Sequence, residues 1–169
     1  MYYFIPCLKI TPTKTVFLFI SLASLLLGGC GGPTKQSSTQ RYVYSGDKSA
    51  LIAKAHLLLG TPYRYGGSHP STGFDCSGFV QYTHASVGLR VPRTSKQQHQ
   101  ATKPIRKHDL RPGDLVFFRI NRKRTISHVG IYIGKGKFIH APSTGKRVSI
   151  ARLDNPYWQR NYNSAGRIF

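Results

Sequence analysis

The chain has 169 residues, 40% of them hydrophobic, with 25 Lys and Arg against 5 acidic side chains and a formal charge of +20. All five acids are Asp (Asp47, Asp75, Asp109, Asp114, Asp154), which excludes the glutamate-dependent zinc peptidases and leaves a glycosidase only two of these five to work with. The apolar content supports a folded core, a length of about 140 residues after a leader fits one domain, and three Cys make no disulfide scaffold.

Residues 1–14 carry only Lys9 and Lys14 as charges, and residues 16–27 carry none. A membrane span needs roughly 20 apolar residues, so the run is too short to cross and describes an export signal. Its ending, Leu27-Gly28-Gly29-Cys30, resembles the lipobox of bacterial lipoproteins. That resemblance implies a signal peptide over 1–29, a lipid on Cys30 and a membrane attachment through it. An uncleaved anchor or an ordinary signal peptide are the alternatives. Gly31 follows the Cys, where an inner-membrane retention signal would place Asp, so the expected location is the outer membrane, facing the periplasm. Loss of Lys9 and Lys14 lowers the charge to about +18. It also leaves Cys76 as the one free thiol. Oxidising compartments pair thiols, so a lone exported one calls first for a test of nucleophilic catalysis.

Residues 30–46 are small and polar and read as a tether; the domain is expected over 47–169. Asp47 is a good N-cap for a helix carrying Leu51, Ile52, Ala55, Leu58 and Leu59 at helical spacing, closed by Gly60. A glycine-rich loop, Tyr63-Arg64-Tyr65-Gly66-Gly67, follows. A second helix starts at Cys76 with Asp75 as N-cap and ends at Gly88, and Thr94 or Ser95 caps a short third helix reaching about Ala101. Beyond Leu110 the pattern changes to strands: Leu115-Val116-Phe117-Phe118, then 127–133, 138–140 and 148–150, with 167–169 closing the sheet. Asn121-Arg122-Lys123-Arg124 reads as a basic hairpin tip, and Asp114 as a structural turn residue. Helices first and strands after give an α+β fold, N-terminal helices packed on an antiparallel sheet.

Cys76 at the first turn of a helix meets a partial positive charge and unpaired N–H groups, which favour the thiolate and can hold an oxyanion. The competing reading is a small, inert, buried Cys. Of the seven His, five (His56, His69, His84, His99, His108) read as surface residues. His128 and His140 flank a hairpin. Pairing Val129 with Ile139 also pairs His128 with His140 and puts the turn near Gly134. One register thus seats the aliphatic residues on one face and both His on the other, a base beside its orienter. Zinc held by one Cys and two His is the rival reading, but the short-spaced ligand pairs of zinc sites are absent, so neither metal nor cofactor is expected.

From residue 51 to the C-terminus the chain is similar to the NlpC family of cell-wall cysteine peptidases, which have a papain-like fold. The pieces that carry the likeness are Gly60-Thr61-Pro62-Tyr63-Arg64-Tyr65-Gly66-Gly67, Phe74-Asp75-Cys76-Ser77-Gly78-Phe79-Val80, Val91-Pro92-Arg93-Thr94-Ser95, Leu110-Arg111-Pro112-Gly113-Asp114, His128-Val129-Gly130-Ile131-Tyr132-Ile133-Gly134 and Phe138-Ile139-His140-Ala141, all in the family's order. The resemblance implies Cys76 as nucleophile, His128 as general base and acid, and His140 as the polar third member. It further implies Tyr63 as an oxyanion helper and Asp75 and Ser77 as substrate-binding neighbours of the nucleophile. The lipobox beside a bare catalytic domain looks most like the small murein endopeptidase lipoproteins of Gram-negative envelopes. The expected substrate is peptidoglycan, cut in its stem or cross-link peptides, by a monomer. An amidase or acyltransferase on the same fold, and a non-catalytic murein-binding scaffold, are the alternatives. A nucleic-acid partner is not expected, because the basic residues are scattered and the chain is exported. The charge suits an acidic polymer and anionic lipid surfaces.

Overall fold

The computed structural model describes residues 47–120 and 124–168. Helix α1 (Lys48–Leu57) begins where Asp47 accepts the backbone N–H groups of Ser49 and Ala50, and it buries Leu51 and Ala55. A two-stranded ladder follows, β1 (Ser68–His69) against β2 (Gly73–Phe74). Helix α2 (Cys76–Ala85) starts on its Asp75 cap, as the sequence predicts. The short α3 (Ser95–Gln100) is capped by Thr94.

Then come β3 (Lys103–Ile105), β4 (Leu115–Phe118), β5 (His128–Gly134), β6 (Lys137–His140) and β7 (Ser149–Arg152). Helix α4 (Pro156–Asn161) and β8 (Tyr162–Arg167) complete the described chain. Six strands form one antiparallel sheet in the order β3-β8-β4-β5-β6-β7, so the α+β expectation holds. The C-terminal strand inserts beside β4 instead of closing an edge. Asp114 helps to place it: the buried carboxylate takes Arg167 on both oxygens, at 2.7 and 2.8 Å, and the Arg111 N–H at 2.7 Å.

Strand β4 explains the layering. All four of its residues are buried, so both sheet faces need a cover. Leu115 and Phe117 pack with Leu51, Phe79, Val80, Val129, Ile131 and Ile139 on the α1 and α2 side. Val116 and Phe118 pack with Phe138, Leu153 and Ala165 on the other, where Trp158 of α4 closes over them. Each large side chain buried this way contributes about 1.5–3 kcal/mol relative to exposure.

The hairpin register differs from the sequence expectation. Ile131 opposes Ile139 and Tyr132 opposes Phe138, two residues along from the Val129–Ile139 pairing. The ladder then shifts between Tyr132 and Gly134, and Gly134 opposes Lys137. Lys135 and Gly136 form the two-residue loop with positive φ at both positions (50° and 70°), as a type I′ hairpin requires. Alternation along a strand fixes parity and not the turn; a slide of two residues keeps both His on one face.

The basic tip falls largely outside the described residues: of the four, only Arg124 is described, and it is exposed. Cys30 and the 1–46 segment also lie outside them.

Candidate active site

Four backbone segments converge at the start of α2. Gly78, in the helix's first turn, has the backbone carbonyl of Gly67 where a Cβ would stand, so only glycine lets the 63–67 loop approach. Gly67 O also accepts the Asp75 N–H at 3.0 Å and an Arg93 N–H at 3.3 Å. Tyr63 bridges to Phe74, and its ring packs on the same buried cluster as Cys76. Helix α3 reaches in through Gln98, fully buried, whose amide donates to Ser77 O at 2.9 Å and Pro92 O at 2.8 Å.

Asp75 is saturated. Its Oδ1 accepts from Gly78 N (2.6 Å), Arg93 Nη1 (2.9 Å) and Ser77 Oγ (3.1 Å), and its Oδ2 from Arg93 Nη2 (2.7 Å) and Gly66 N (3.1 Å). A carboxylate offers about four lone-pair sites, so these donors fill it. Burial alone would raise the Asp75 pKa, but the Arg93 and Gly78 hydrogen bonds, the Arg93 charge and the Ser77 hydroxyl together hold it below the usual carboxylate range. Ser77 Oγ in turn accepts from Arg93 Nη1 at 3.0 Å. The polar atoms of Asp75 and Ser77 are thus engaged with each other, the helix and Arg93. Sequence reasoning carried Arg93 only as part of a motif.

The two His stand together on neighbouring strands, β5 and β6, under Trp158 of α4. His128 Nε2 and His140 Nδ1 are 2.8 Å apart, with both residues buried. The rings cross at 88°. Trp158 stacks on His128 (5.5 Å between centroids, 26°) and meets His140 edge-on at 4.7 Å. Phe118 and Phe138 complete the aromatic wall. With Nε2 of His128 engaged, Nδ1 is the ring nitrogen left for another partner. The backbone N–H groups of Val129, Ser77 and Cys76 itself lie near enough to the Cys76 sulfur to favour its charged form. Val129 follows His128 in the chain, so the thiol meets β5 at its His128 end.

The electrostatics overturn one expectation. Burial, and then the Asp75 charge, push the Cys76 thiol up to about 11, while those backbone N–H groups pull the other way. The helix terminus is present, but it does not outweigh desolvation. Burial likewise holds His128 down at about 4 and His140 well below its ordinary value. The resting pair is therefore thiol and neutral imidazole, and separated charges are disfavoured on either partner alone. Burial also raises the Tyr63 phenol, with Cys76 and Asp75 adding to it.

Two of the other His depart from the surface reading. His84 is fully buried in α2, its Nδ1 donating to Val80 O at 2.8 Å, and burial lowers it to about 4. His99 is half-buried, edge-on to Phe117, with Nε2 3.0 Å from Ser164 Oγ. A helical pattern on a short, mixed segment does not say which face is inward. Among the described residues no three His, Cys or Asp side chains converge as metal ligands. A cavity of about 520 Å³ lies elsewhere, at the β4 end remote from His128, between β3, the 106–111 loop and Arg167.

Residues 60–167 match the model of the NlpC/P60 family. The chain belongs to this family. It is 43% identical over 157 residues to the probable endopeptidase NlpC of Escherichia coli K12, covering 90% of this chain and 99% of that protein. It is 48% identical over 126 residues to the murein DD-endopeptidase MepH of the same strain, covering 72% of this chain and 46% of MepH. A similar share applies to the Bacillus subtilis bifunctional muramidase/DL-endopeptidase CwlT, 38% identical over 151 residues, 82% of this chain and 45% of that one. The chain thus spans about half the length of these two larger relatives. Among solved structures, an NlpC/P60 protein from Bacillus cereus ATCC 10987 superposes with a TM-score of 0.68 at 35% identity, over 72% of this chain and 40% of that one. The NlpC/P60 domain of the peptidoglycan hydrolase SagA gives 0.62 at 33%, over 71% and 97%.

Proposed function

We propose that this NlpC/P60 chain is a peptidoglycan endopeptidase of the cell envelope that works through Cys76, His128 and His140. The observation that carries the reading is the buried His128–His140 bond of 2.8 Å; the Cys76 thiol, on the first turn of α2, belongs to a helix that packs against β5. In this reading His140 accepts the Nε2–H of His128, which leaves Nδ1 as an unprotonated base. His128 takes the Sγ proton as the sulfur attacks the scissile carbonyl, so both charges arise together in one step. The oxyanion is held by N–H groups at the start of α2 and by the Tyr63 hydroxyl. His128 returns the proton to the leaving amine, and a water activated by the same ring then hydrolyses the thioester. Asp75 and Ser77 act at the substrate's approach by fixing α2 against the 63–67 loop.

The substrate proposed is the stem or cross-link peptide of murein. The names of the Escherichia coli relatives MepH and MepS, which include murein DD-endopeptidase, support a cross-link cut, and that of CwlT, a DL-endopeptidase, supports a stem cut. The surplus of 25 basic over 5 acidic residues supports an acidic polymer as partner. The lipobox-like Leu27-Gly28-Gly29-Cys30 supports a lipid anchor at Cys30 in the outer membrane. Digestion of purified sacculi followed by mass spectrometry tests the activity. Conversion of cross-linked dimers to monomers by the wild type, and none by Cys76→Ala, is expected. Release of free sugars or of intact stems from the glycan would overturn the endopeptidase assignment. Cys30→Ala should leave the protein unprocessed or free of the outer-membrane fraction; unchanged fractionation at native mass would remove the anchor.

A further inference from the structure

The nucleophile's helix carries an internal contradiction. Its N-cap is a carboxylate immediately before the thiol, and that charge opposes any negative charge formed on Sγ; after burial it is the next cause raising the thiol. A neutral cap would hold the helix without this penalty, since Asn and Ser cap about as well as Asp. The structure supplies a compensating group. Arg93, from the segment before α3, grips both Asp75 oxygens side by side at 2.9 and 2.7 Å. Its remaining Nη bonds go to Ser77 Oγ and Gly67 O, so the guanidinium also ties α2's first turn to the 63–67 loop. The fork geometry is specific to Arg; a Lys ammonium would supply the charge without the two parallel bonds.

We infer that Arg93 is a positioning residue that neutralises Asp75 beside Cys76, so that the cap can hold the helix without opposing the negative charge that forms on the sulfur and the oxyanion. This rests on the reading of Cys76 as nucleophile. Arg93 acts through Asp75 and touches no reacting atom. The other charged or titratable groups around the thiol are Tyr63 from the 63–67 loop and His128 with His140 from β5 and β6. None of these is paired with Asp75, so the cancellation falls to Arg93 alone among the described residues.

The test is a double-mutant cycle read in two ways. The variants are Arg93→Gln, Arg93→Lys, Asp75→Asn and the Arg93→Gln/Asp75→Asn pair, with Cys76→Ala as reference. The readouts are turnover of a small soluble muropeptide and the pH dependence of Cys76 alkylation by iodoacetamide, which needs no turnover. Arg93→Gln should lower kcat by ten- to a hundredfold with KM changed less than threefold, and move alkylation to higher pH. Adding Asp75→Asn should recover at least tenfold of the kcat loss, because no bare carboxylate remains. Asp75→Asn alone, with Arg93 in place, should move alkylation to lower pH than in the wild type. Arg93→Lys should stay within about tenfold of wild type in kcat.

A merely structural staple predicts the opposite pattern. Removing both partners would then be no better than removing one, and Asp75→Asn would not ease alkylation. Either result overturns the inference. If Arg93→Gln does not fold, the direction of the Asp75→Asn alkylation shift decides alone. Retained turnover in Cys76→Ala would instead bring down the nucleophile assignment itself. A silent Cys76→Ala beside wild-type behaviour in all Arg93 and Asp75 variants would bring down only this inference.

Discussion

Trp158 is the single Trp of the chain, and its removal makes a sharp prediction. The indole lies flat on His128 and edge-on to His140, so it forms much of the wall that keeps water from both rings. Burial holds His128 at about 4 against an ordinary 6.5, a difference worth about 3 kcal/mol. Trp158→Ala opens that wall and lets the ring protonate at higher pH. A full return to 6.5 would leave about one-tenth of the molecules with a neutral His128 at pH 5.5, a loss of about tenfold, against about 1.3-fold at pH 7. That is the upper limit, since Phe118 still flanks the ring. The expected result is an acid limb of kcat/KM displaced upward in Trp158→Ala and much less in Trp158→Phe, with the activity ratio to wild type widening as the pH falls. In the wild type the indole fluorescence should be quenched as the imidazole it stacks on becomes charged, reporting the same titration without substrate. A loss of activity equal at every pH would refute the reasoning, because it would show that Trp158 does not act through His128 ionisation.

Three further outcomes are expected. His140→Asn should retain partial turnover and His140→Ala markedly less, with Cys76→Ala and His128→Ala inactive, since only a hydrogen-bonding group can orient His128; equal activity in both His140 variants would remove the orienting role. The protein should be acid-labile. The unfolded chain binds protons on His84 and His128 from about pH 6.5 downward while the folded chain resists to about 4, so stability present above 6.5 is lost through that window, by about 2 kcal/mol per His between pH 7 and 5. Urea unfolding at the two pH values measures it, and a combined change under 1 kcal/mol would mean that these rings are not buried in solution. Arg167→Ala should cost about 3 kcal/mol in thermal unfolding, because it strands the buried Asp114 carboxylate that joins β4 to β8; a neutral effect would show the pair to be dispensable.

The legible part of the fold was whatever carried a local signal. Asp47, Asp75 and Thr94 announced three helix starts, since a side-chain cap is chosen within four residues. The apolar run 115–118 announced a strand buried on both faces. What escaped depended on partners far along the chain. Lys103–Ile105 is a strand only because β8 lies beside it, and Pro104 argues against any strand until its edge position is known. Helix α4 had a readable start in Asn155 and Pro156, but six residues give too little periodicity, and with it Trp158 went unassigned. Strand parity alone puts His128 and His140 on one face, and parity survives the two-residue slide between the expected and observed registers. Arg93 was invisible in role, because an ion pair spanning eighteen residues leaves no local trace.

The central claim is that Cys76 attacks the peptide carbonyl and carries the acyl group. Acid-quenching the enzyme within a single turnover of a cross-linked muropeptide, then measuring intact mass and digesting the protein, tests it most directly. The account predicts an adduct equal to the acyl half of the substrate, confined to the peptide containing Cys76 and labile to hydroxylamine. Turnover by the wild type with no adduct at any quench time, together with turnover in Cys76→Ala, would contradict it.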